Sequence, residues 1–180
     1  MITTERLVLR RLQAGDLEAF AAYRRVPEVA RYQSWDEGYG AEDAARLLAE
    51  QQRIAFGTPG EWVQLAIARR EDDALLGDCA CHVSASQPRT AEVGVTLAPA
   101  SQGRGIAAEA LGALVGALFR DHGMHRVVAE ADDRNAAVHR LLERLGLRCE
   151  ARLVEADWFK GEWTTLRVYA VLAREWRERS

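Results

Sequence analysis

Gln102-Gly103-Arg104-Gly105-Ile106-Ala107 is the stretch on which the fold turns, because it joins an apolar strand over residues 92–97 to a long helix over residues 105–120. Glycines at 103 and 105 let the chain turn tightly and let a ligand approach the main chain. The unpaired amides and positive dipole end of a helix start there, so phosphate oxygens are favoured, and Arg104 adds a cation at the same place. The helix itself is apolar almost all round. Ile106, Ala107, Ala110, Leu111, Leu114, Val115, Leu118 and Phe119 cover more than one face, and Glu109 is the only charge before Arg120, which predicts a helix inside a domain. Ala108, Gly112 and Gly116 recur every fourth residue and predict a stripe that packs closely on a sheet.

Outward from this point the chain reads as mixed α and β. Upstream, strands are predicted over residues 6–11, 62–68, 75–84 and 90–97, and helices over 16–25 and 40–56 with Gly57 as the stop. Pro27 opens a short helical turn toward Tyr32. Downstream, a strand over 126–130 precedes an amphipathic helix capped by Asn135, with Val138, Leu141, Leu142 and Leu145 facing inward and Gly146 ending it. Strands over 147–154 and 165–173 close the sheet, with residues 158–163 between them. The polar tail from Arg174 is expected to add little.

A length of 180 residues with no internal repeat or linker suits one domain over residues 1–180. A formal charge of −3 with scattered basic residues argues against a nucleic-acid or anionic-membrane surface. Nearly all cations are arginine, and Lys160 is the one lysine. With no signal-like apolar core at the start and no run near a membrane span, a cytoplasmic location is expected. Cys79, Cys81 and Cys149 make an odd count that does not suit a disulfide framework. A structural zinc needs four converging ligands, and Cys79, Cys81 and His82 have no second pair, so buried thiols are expected and no metal.

Two phosphate-site readings fit the glycine loop. Gly103, Gly105 and Ala108 match the dinucleotide fingerprint Gly-x-Gly-x-x-Gly/Ala, but five residues separate the strand from the first glycine and the preceding strands read as antiparallel. The other reading is a family resemblance. Thr4-Glu5-Arg6-Leu7-Val8-Leu9-Arg10, Asp16, Pro27-Glu28-Val29-Ala30 with Trp35, Ala91-Glu92-Val93-Gly94, Gln102-Gly103-Arg104-Gly105-Ile106-Ala107 with Glu109-Ala110-Leu111, and Asn135 with Leu145-Gly146-Leu147 occur in order along nearly the whole chain. This order resembles that of the GNAT-type N-acetyltransferases, in the branch of the ribosomal-protein N-terminal acetyltransferases.

The resemblance implies an α/β fold with a mixed, largely antiparallel sheet of about six or seven strands flanked by helices. It implies acetyl-coenzyme A as cosubstrate, its pyrophosphate on the amides of Gly103, Arg104, Gly105, Ile106 and Ala107 beside Gln102. The pantetheine arm would run along the strand edge at Val93, Val95 and Leu97, and Asn135 would line the same cleft. The acceptor is an amine, at a protein N-terminus or on a small molecule such as an aminoglycoside, and the protein acts as a monomer or homodimer. A non-catalytic acyl-coenzyme A binding module is the rival class.

Attack on a thioester needs a neutral amine. At pH 7 deprotonation costs ~4.6 kcal/mol for a lysine-like ammonium and ~1.4 kcal/mol for an α-amino group, so a weak or water-relayed base suffices for the second. Asp157, before the last hairpin, and Glu92, on the cofactor strand, are the candidate bases, with Glu130 behind them. Leu142 and Val138 stand where relatives carry a tyrosine and a serine, which leaves Tyr169 and His139 as candidate proton donors. Tyr32, Trp35 and Tyr39, facing Trp158, Phe159 and Trp163, are expected to wall the acceptor pocket. Thr165 replaces an aspartate found in some relatives.

Overall fold

The computed structural model describes residues 1–179. In chain order it contains β1 (Ile2–Thr3), β2 (Leu7–Arg11), α1 (Leu17–Arg24), α2 (Pro27–Ala30), α3 (Ala41–Gln51), β3 (Trp62–Arg69), β4 (Leu75–Val83), β5 (Thr90–Leu97), α4 (Ile106–Arg120), β6 (Arg126–Asp132), α5 (Ala136–Leu145), β7 (Arg148–Phe159), β8 (Glu162–Leu172) and α6 (Ala173–Arg177). All strands join one sheet in the order β1-β2-β3-β4-β5-β6-β8-β7. Every neighbouring pair is antiparallel except β5 and β6. The eighth strand, beyond the six or seven expected, is β1, whose two residues are too few to show a period.

Alternation along the strands divides the core between the two faces of the sheet. Leu7, Leu9, Cys79, Cys81, Ala91 and Val93 pack with Ile106, Ala110, Leu111, Leu114 and Leu118 of α4. The other face buries Phe20, Ala21, Tyr23, Val29, Ala44 and Leu48 of α1, α2 and α3 against Ala66. Both strand thiols lie in the first cluster, and burial pushes the Cys81 thiol up to about 12.

The small-residue stripe of α4 does not meet the sheet as expected. A Cβ on Gly112 would lie 3.3 Å from Leu145 Cδ2 of α5, and one on Gly116 would lie 3.7 Å from Trp176 Nε1 of α6. The bulky side chains Leu111, Leu114 and Leu118 fill the sheet side, leaving the small stripe for helix–helix contact. The C-terminal tail is likewise part of the fold. Glu175 accepts from the Leu172 N–H at 2.8 Å and from Arg148 at 2.5 Å, and Trp176 lies 6.1 Å from the Phe119 ring.

Two elements differ in length from the sequence expectation. The helix expected over 40–56 ends at Gln51. Gln51 is buried and donates to the Trp62 carbonyl at 2.9 Å while accepting from Gln64 N–H at 2.7 Å. Since β2 pairs β3 only from Leu65 onward, this one amide satisfies the β3 edge that no strand covers. The last hairpin is longer than expected, with Trp158 paired to Trp163 across it. Its two-residue turn, Lys160-Gly161, has φ of +49° and +86°, the type I′ arrangement.

Beneath α1 lies a buried charged pair. Arg24 Nη2 donates to Asp78 Oδ1 and Oδ2 at 3.2 and 3.3 Å, with both residues under 5% exposed. The Tyr23 hydroxyl and Gln64 amide also donate to Asp78. The guanidinium lies 3.7 Å from the Trp35 ring centroid and 4.0 Å from that of Phe20. Removing one member of such a pair leaves an uncompensated buried charge. Arg24→Met is therefore expected to lower the unfolding free energy by about 3–5 kcal/mol in a urea titration. A loss under about 1 kcal/mol would mean that Tyr23 and Gln64 satisfy Asp78 unaided.

Candidate active site

The parallel pairing of β5 with β6 lasts for three positions, Thr90 to Arg126, Ala91 to Val127 and Glu92 to Val128. Past Glu92, β5 remains paired to β4, and β6 remains paired to β8. The two strands therefore diverge, and the edge of β5 that faced β6 is left without a strand partner over residues 93–97. A cleft of about 440 Å³ opens there. It is lined by Val95, Thr96 and Leu97, by Gln102, Gly103 and Ala107, by Asn135, Ala137, Val138 and Leu141 of the α5 region, and by Glu28, Val29, Tyr32 and Gln33.

At one end of the cleft the chain makes a 3-10 turn at Pro99–Ser101 and then the glycine loop. Gly103 and Gly105 adopt φ of +72° and +76°, which side chains with a Cβ rarely accept. A Cβ on Gly103 would meet nothing within 4 Å, so the space over the loop is open to a ligand. The first intrahelical bond of α4 runs from Glu109 N–H to the Gly105 carbonyl at 3.1 Å. The amides of Ile106, Ala107 and Ala108 precede it and point out of the helix end, where an anion suits them.

Glu109, the only charge in α4 before Arg120, anchors the loop rather than the ligand. It accepts from Thr4 Oγ1 at 2.5 Å, from Arg6 N–H at 3.0 Å and from Arg6 Nε at 2.6 Å, while Arg6 Nη1 donates to the Arg104 carbonyl at 3.1 Å. The start of β2 thus holds the glycine loop in place. Asn135 caps α5 through Val138 N–H at 3.3 Å and lines the cleft, so its structural and ligand-facing positions coincide.

The candidate acid–base residues fall in three separate places. Glu92, opposite His82 across the β4–β5 pair, shares a face with Thr96 and Asp78, the face that carries α1 and α2. It is half-buried, and burial first, then the neighbouring Glu130, pushes its carboxyl up to about 6. Tyr169 points to the opposite face. It is fully buried, stacked on His139 at 5.5 Å, with its hydroxyl 3.4 Å from Glu143 Oε1. His139 is buried as well. Asp157 lies out on β7 opposite Thr164, whose hydroxyl donates to the Asp157 carbonyl oxygen at 3.3 Å. None of these four residues lines the cleft itself.

The aromatic residues expected to wall an acceptor pocket divide similarly. Tyr32 lines the cleft, Trp35 and Tyr39 cover Arg24, and Trp158 and Trp163 are exposed and meet edge to face at 5.3 Å on the hairpin. Glu28, Gln33 and Thr96 line the cleft without having been singled out by sequence. Glu28 and Gln33 flank the Pro27 turn, and Thr96 lies on the strand already assigned to the cofactor, so proximity along the chain was the available signal.

This geometry has close counterparts. Residues 6–148 match the model of the acetyltransferase (GNAT) domain family. The chain is 27% identical to the uncharacterised N-acetyltransferase YnaD of Bacillus subtilis over 97% of its own length and 98% of the relative's. Among solved structures it is similar to a spermidine N-acetyltransferase from Vibrio cholerae in complex with CoA and spermine, with a TM-score of 0.82, 18% identity and coverage of 97% and 99%. It is also similar to a Vibrio cholerae protein assigned as a ribosomal-protein-serine acetyltransferase, with a TM-score of 0.80, 21% identity and coverage of 95% and 96%.

The position of Glu92 has a consequence for stability. Its folded value of about 6 lies above the ordinary 4.5, so the folded state holds a proton that the unfolded chain has released. Stability from this group is present below pH 4.5 and is lost as pH rises through 6. Glu92→Gln is thus expected to raise Tm relative to the wild type at pH 7.5 and to leave it nearly unchanged at pH 4. Equal Tm differences at the two pH values would show that the carboxyl titrates normally.

Proposed function

The chain belongs to the GNAT acetyltransferase family and is an acetyl-coenzyme A-dependent N-acetyltransferase, and from this premise we propose that its acceptor is a primary α-amino group, such as a protein N-terminus. The observation that carries the proposal is the half-buried Glu92 carboxyl, raised to about 6, on the sheet face of α1 and α2 beside the divergence of β5 and β6. A base of that strength matches an ammonium of pKa about 8 better than one of about 10.4.

The chain's own groups divide the reaction. The glycine loop and the first turn of α4 receive the pyrophosphate, and the open edge of β5 pairs with the pantetheine amides as an added strand would. The amine enters from the α2 side of the cleft, past Tyr32. Its nitrogen attacks the thioester carbonyl carbon, and the developing oxyanion is met by a main-chain N–H of β5 near Val95. The amine proton passes to Glu92 through water, since the carboxyl does not line the cleft directly. The carbon–sulfur bond breaks, and the thiolate, with a pKa near that of cysteine at about 8.5, leaves with little need of an acid. Ala137, Val138 and Leu141 on the α5 wall supply no proton donor, in keeping with that.

A small polyamine is the second reading. It is favoured by the carboxylates of Glu28, Asp36 and Glu37, which line a groove beside the cleft and leave it acidic by one charge after Arg31 and Lys160 in the same lining. The comparison that separates the two uses an N-terminally free peptide, its α-acetylated lysine-bearing twin, and spermidine, at pH 7 and pH 9. The free peptide is expected to outpace the twin at pH 7, with the gap narrowing at pH 9. Faster turnover of spermidine or of the twin at pH 7 overturns the α-amine proposal.

Two substitutions test the site. Gly103→Asp places a Cβ and a carboxylate in the open space over the loop, and loss of acetyl-coenzyme A binding with the fold retained is expected in calorimetric titration. Unchanged affinity removes the loop from the site. Glu92→Gln is expected to lower kcat by roughly 10²-fold with donor affinity preserved, the deficit shrinking at high pH where free amine is plentiful. A flat response turns attention to Asp157, replaced by asparagine in the same assay.

A further inference from the structure

We propose that Lys160 is a positioning residue for the acceptor: its ammonium clasps the tip of the β7–β8 hairpin to α2 and to residues 31–40, and so holds the acceptor side of the cleft in shape. The acceptor half of this inference rests on the amine-transfer reading above.

The contacts are specific. Lys160 Nζ donates to the Ala30 carbonyl at 2.8 Å and to the Trp35 carbonyl at 2.6 Å. Ala30 is the last residue of α2, and Glu28 and Val29 of that helix, with Tyr32 and Gln33 just after it, line the cleft. A helix of four residues has no cooperative stability of its own, so its position depends on what holds it. A cation at its C-terminal end suits the helix dipole, and at the Ala30 carbonyl it adds a second bond to the one from Gln33 N–H at 2.9 Å. The segment over 31–40 has neither helix nor strand. From the protein interior it is held by Arg24, whose guanidinium stacks on Trp35 and whose carbonyl accepts from Trp35 Nε1 at 3.2 Å. Lys160 holds the same residue from outside.

The backbone under Lys160 supports a role for its side chain. It occupies the first central position of a type I′ turn with φ of +49°, a place that asparagine, aspartate and glycine fill at lower cost. The turn alone gives no reason for a lysine, whereas the two carbonyls it reaches do. An exposed cation set in the less favoured backbone region and spent on two carbonyls of a distant segment braces residues 30–35 from the hairpin tip, and within and beside that segment Glu28, Val29, Tyr32 and Gln33 line the cleft.

Lys160→Asn tests this without endangering the fold, because asparagine suits the turn and cannot span to the carbonyls. Three measurements on the full chain are compared with the wild type. Amide hydrogen exchange over residues 28–40 is expected to speed up by roughly tenfold or more. The acceptor KM, for the N-terminally free peptide or spermidine, whichever the wild type turns over, is expected to rise by roughly fivefold or more with kcat changed less than twofold. The acetyl-coenzyme A dissociation constant and Tm are expected to hold. Unchanged exchange overturns the clasp, and faster exchange with an unchanged KM overturns its role in acceptor binding. A wild type that turns over neither probe counts against the acceptor reading, and the exchange measurement still decides the clasp.

Discussion

The divergence of β5 from β6 after a parallel contact of three positions is the constraint on which the rest of the molecule depends. At β3, the edge that β2 leaves uncovered is patched by the Gln51 side chain. Between β5 and β6 the edge is left open over residues 93–97, and a main-chain edge without a partner is a binding surface for an extended ligand. The pantetheine arm of acetyl-coenzyme A carries amides of the kind a strand would present. On the proposed reading, the donor site is made by withholding a strand rather than by adding side chains.

Keeping such a gap open requires firm supports on both sides. On one side the helix start of α4 is tied to the beginning of β2 by Glu109, Thr4 and Arg6, so the glycine loop does not collapse into the cleft. On the other side Asn135 closes the first turn of α5, and Asp132 Oδ1 accepts from Arg134 N–H at 2.8 Å just before it. The apolar mass of α4, with Leu111, Leu114 and Leu118 fully buried, then fixes the angle between the loop and the sheet. A buried helix with an exposed, polar start is costly to move, which suits a site that must hold phosphate in a defined place.

Much of this was legible in the sequence because local chemistry and global position agree there. The apolar run at Thr90–Leu97, the glycines at 103 and 105 and the asparagine cap each have a single good structural solution. Where reading by pattern failed, a tertiary contact had replaced a local signal. The turn at Lys160-Gly161 lacks the usual asparagine, because lysine there serves distant carbonyls, and so the sequence pattern predicts two shorter strands. The stripe of Ala108, Gly112 and Gly116 gave the right closeness and the wrong neighbour, since a small face does not say whether a helix or a sheet will meet it. The tail from Arg174 was polar by composition, yet Trp176 and Glu175 each find a place on the fold.

The direction of Glu92 was the point that no pattern decided, and it follows from strand pairing. Ala91 and Val93 belong to the cluster under α4, so Glu92 must face the other way, toward α1 and α2. It stands at the last position where β5 and β6 still pair, opposite Val128, two residues before Glu130 on the same face of β6. One strand position earlier or later it would turn to the opposite face, where Ala91 and Val93 pack. At this position the paired strands bury it in part and Glu130 approaches it, and those are the two causes that raise its carboxyl. The divergence that opens the cleft thus also sets the protonation of Glu92. That carboxyl is tuned by where the sheet splits, through partial burial and the approach of Glu130.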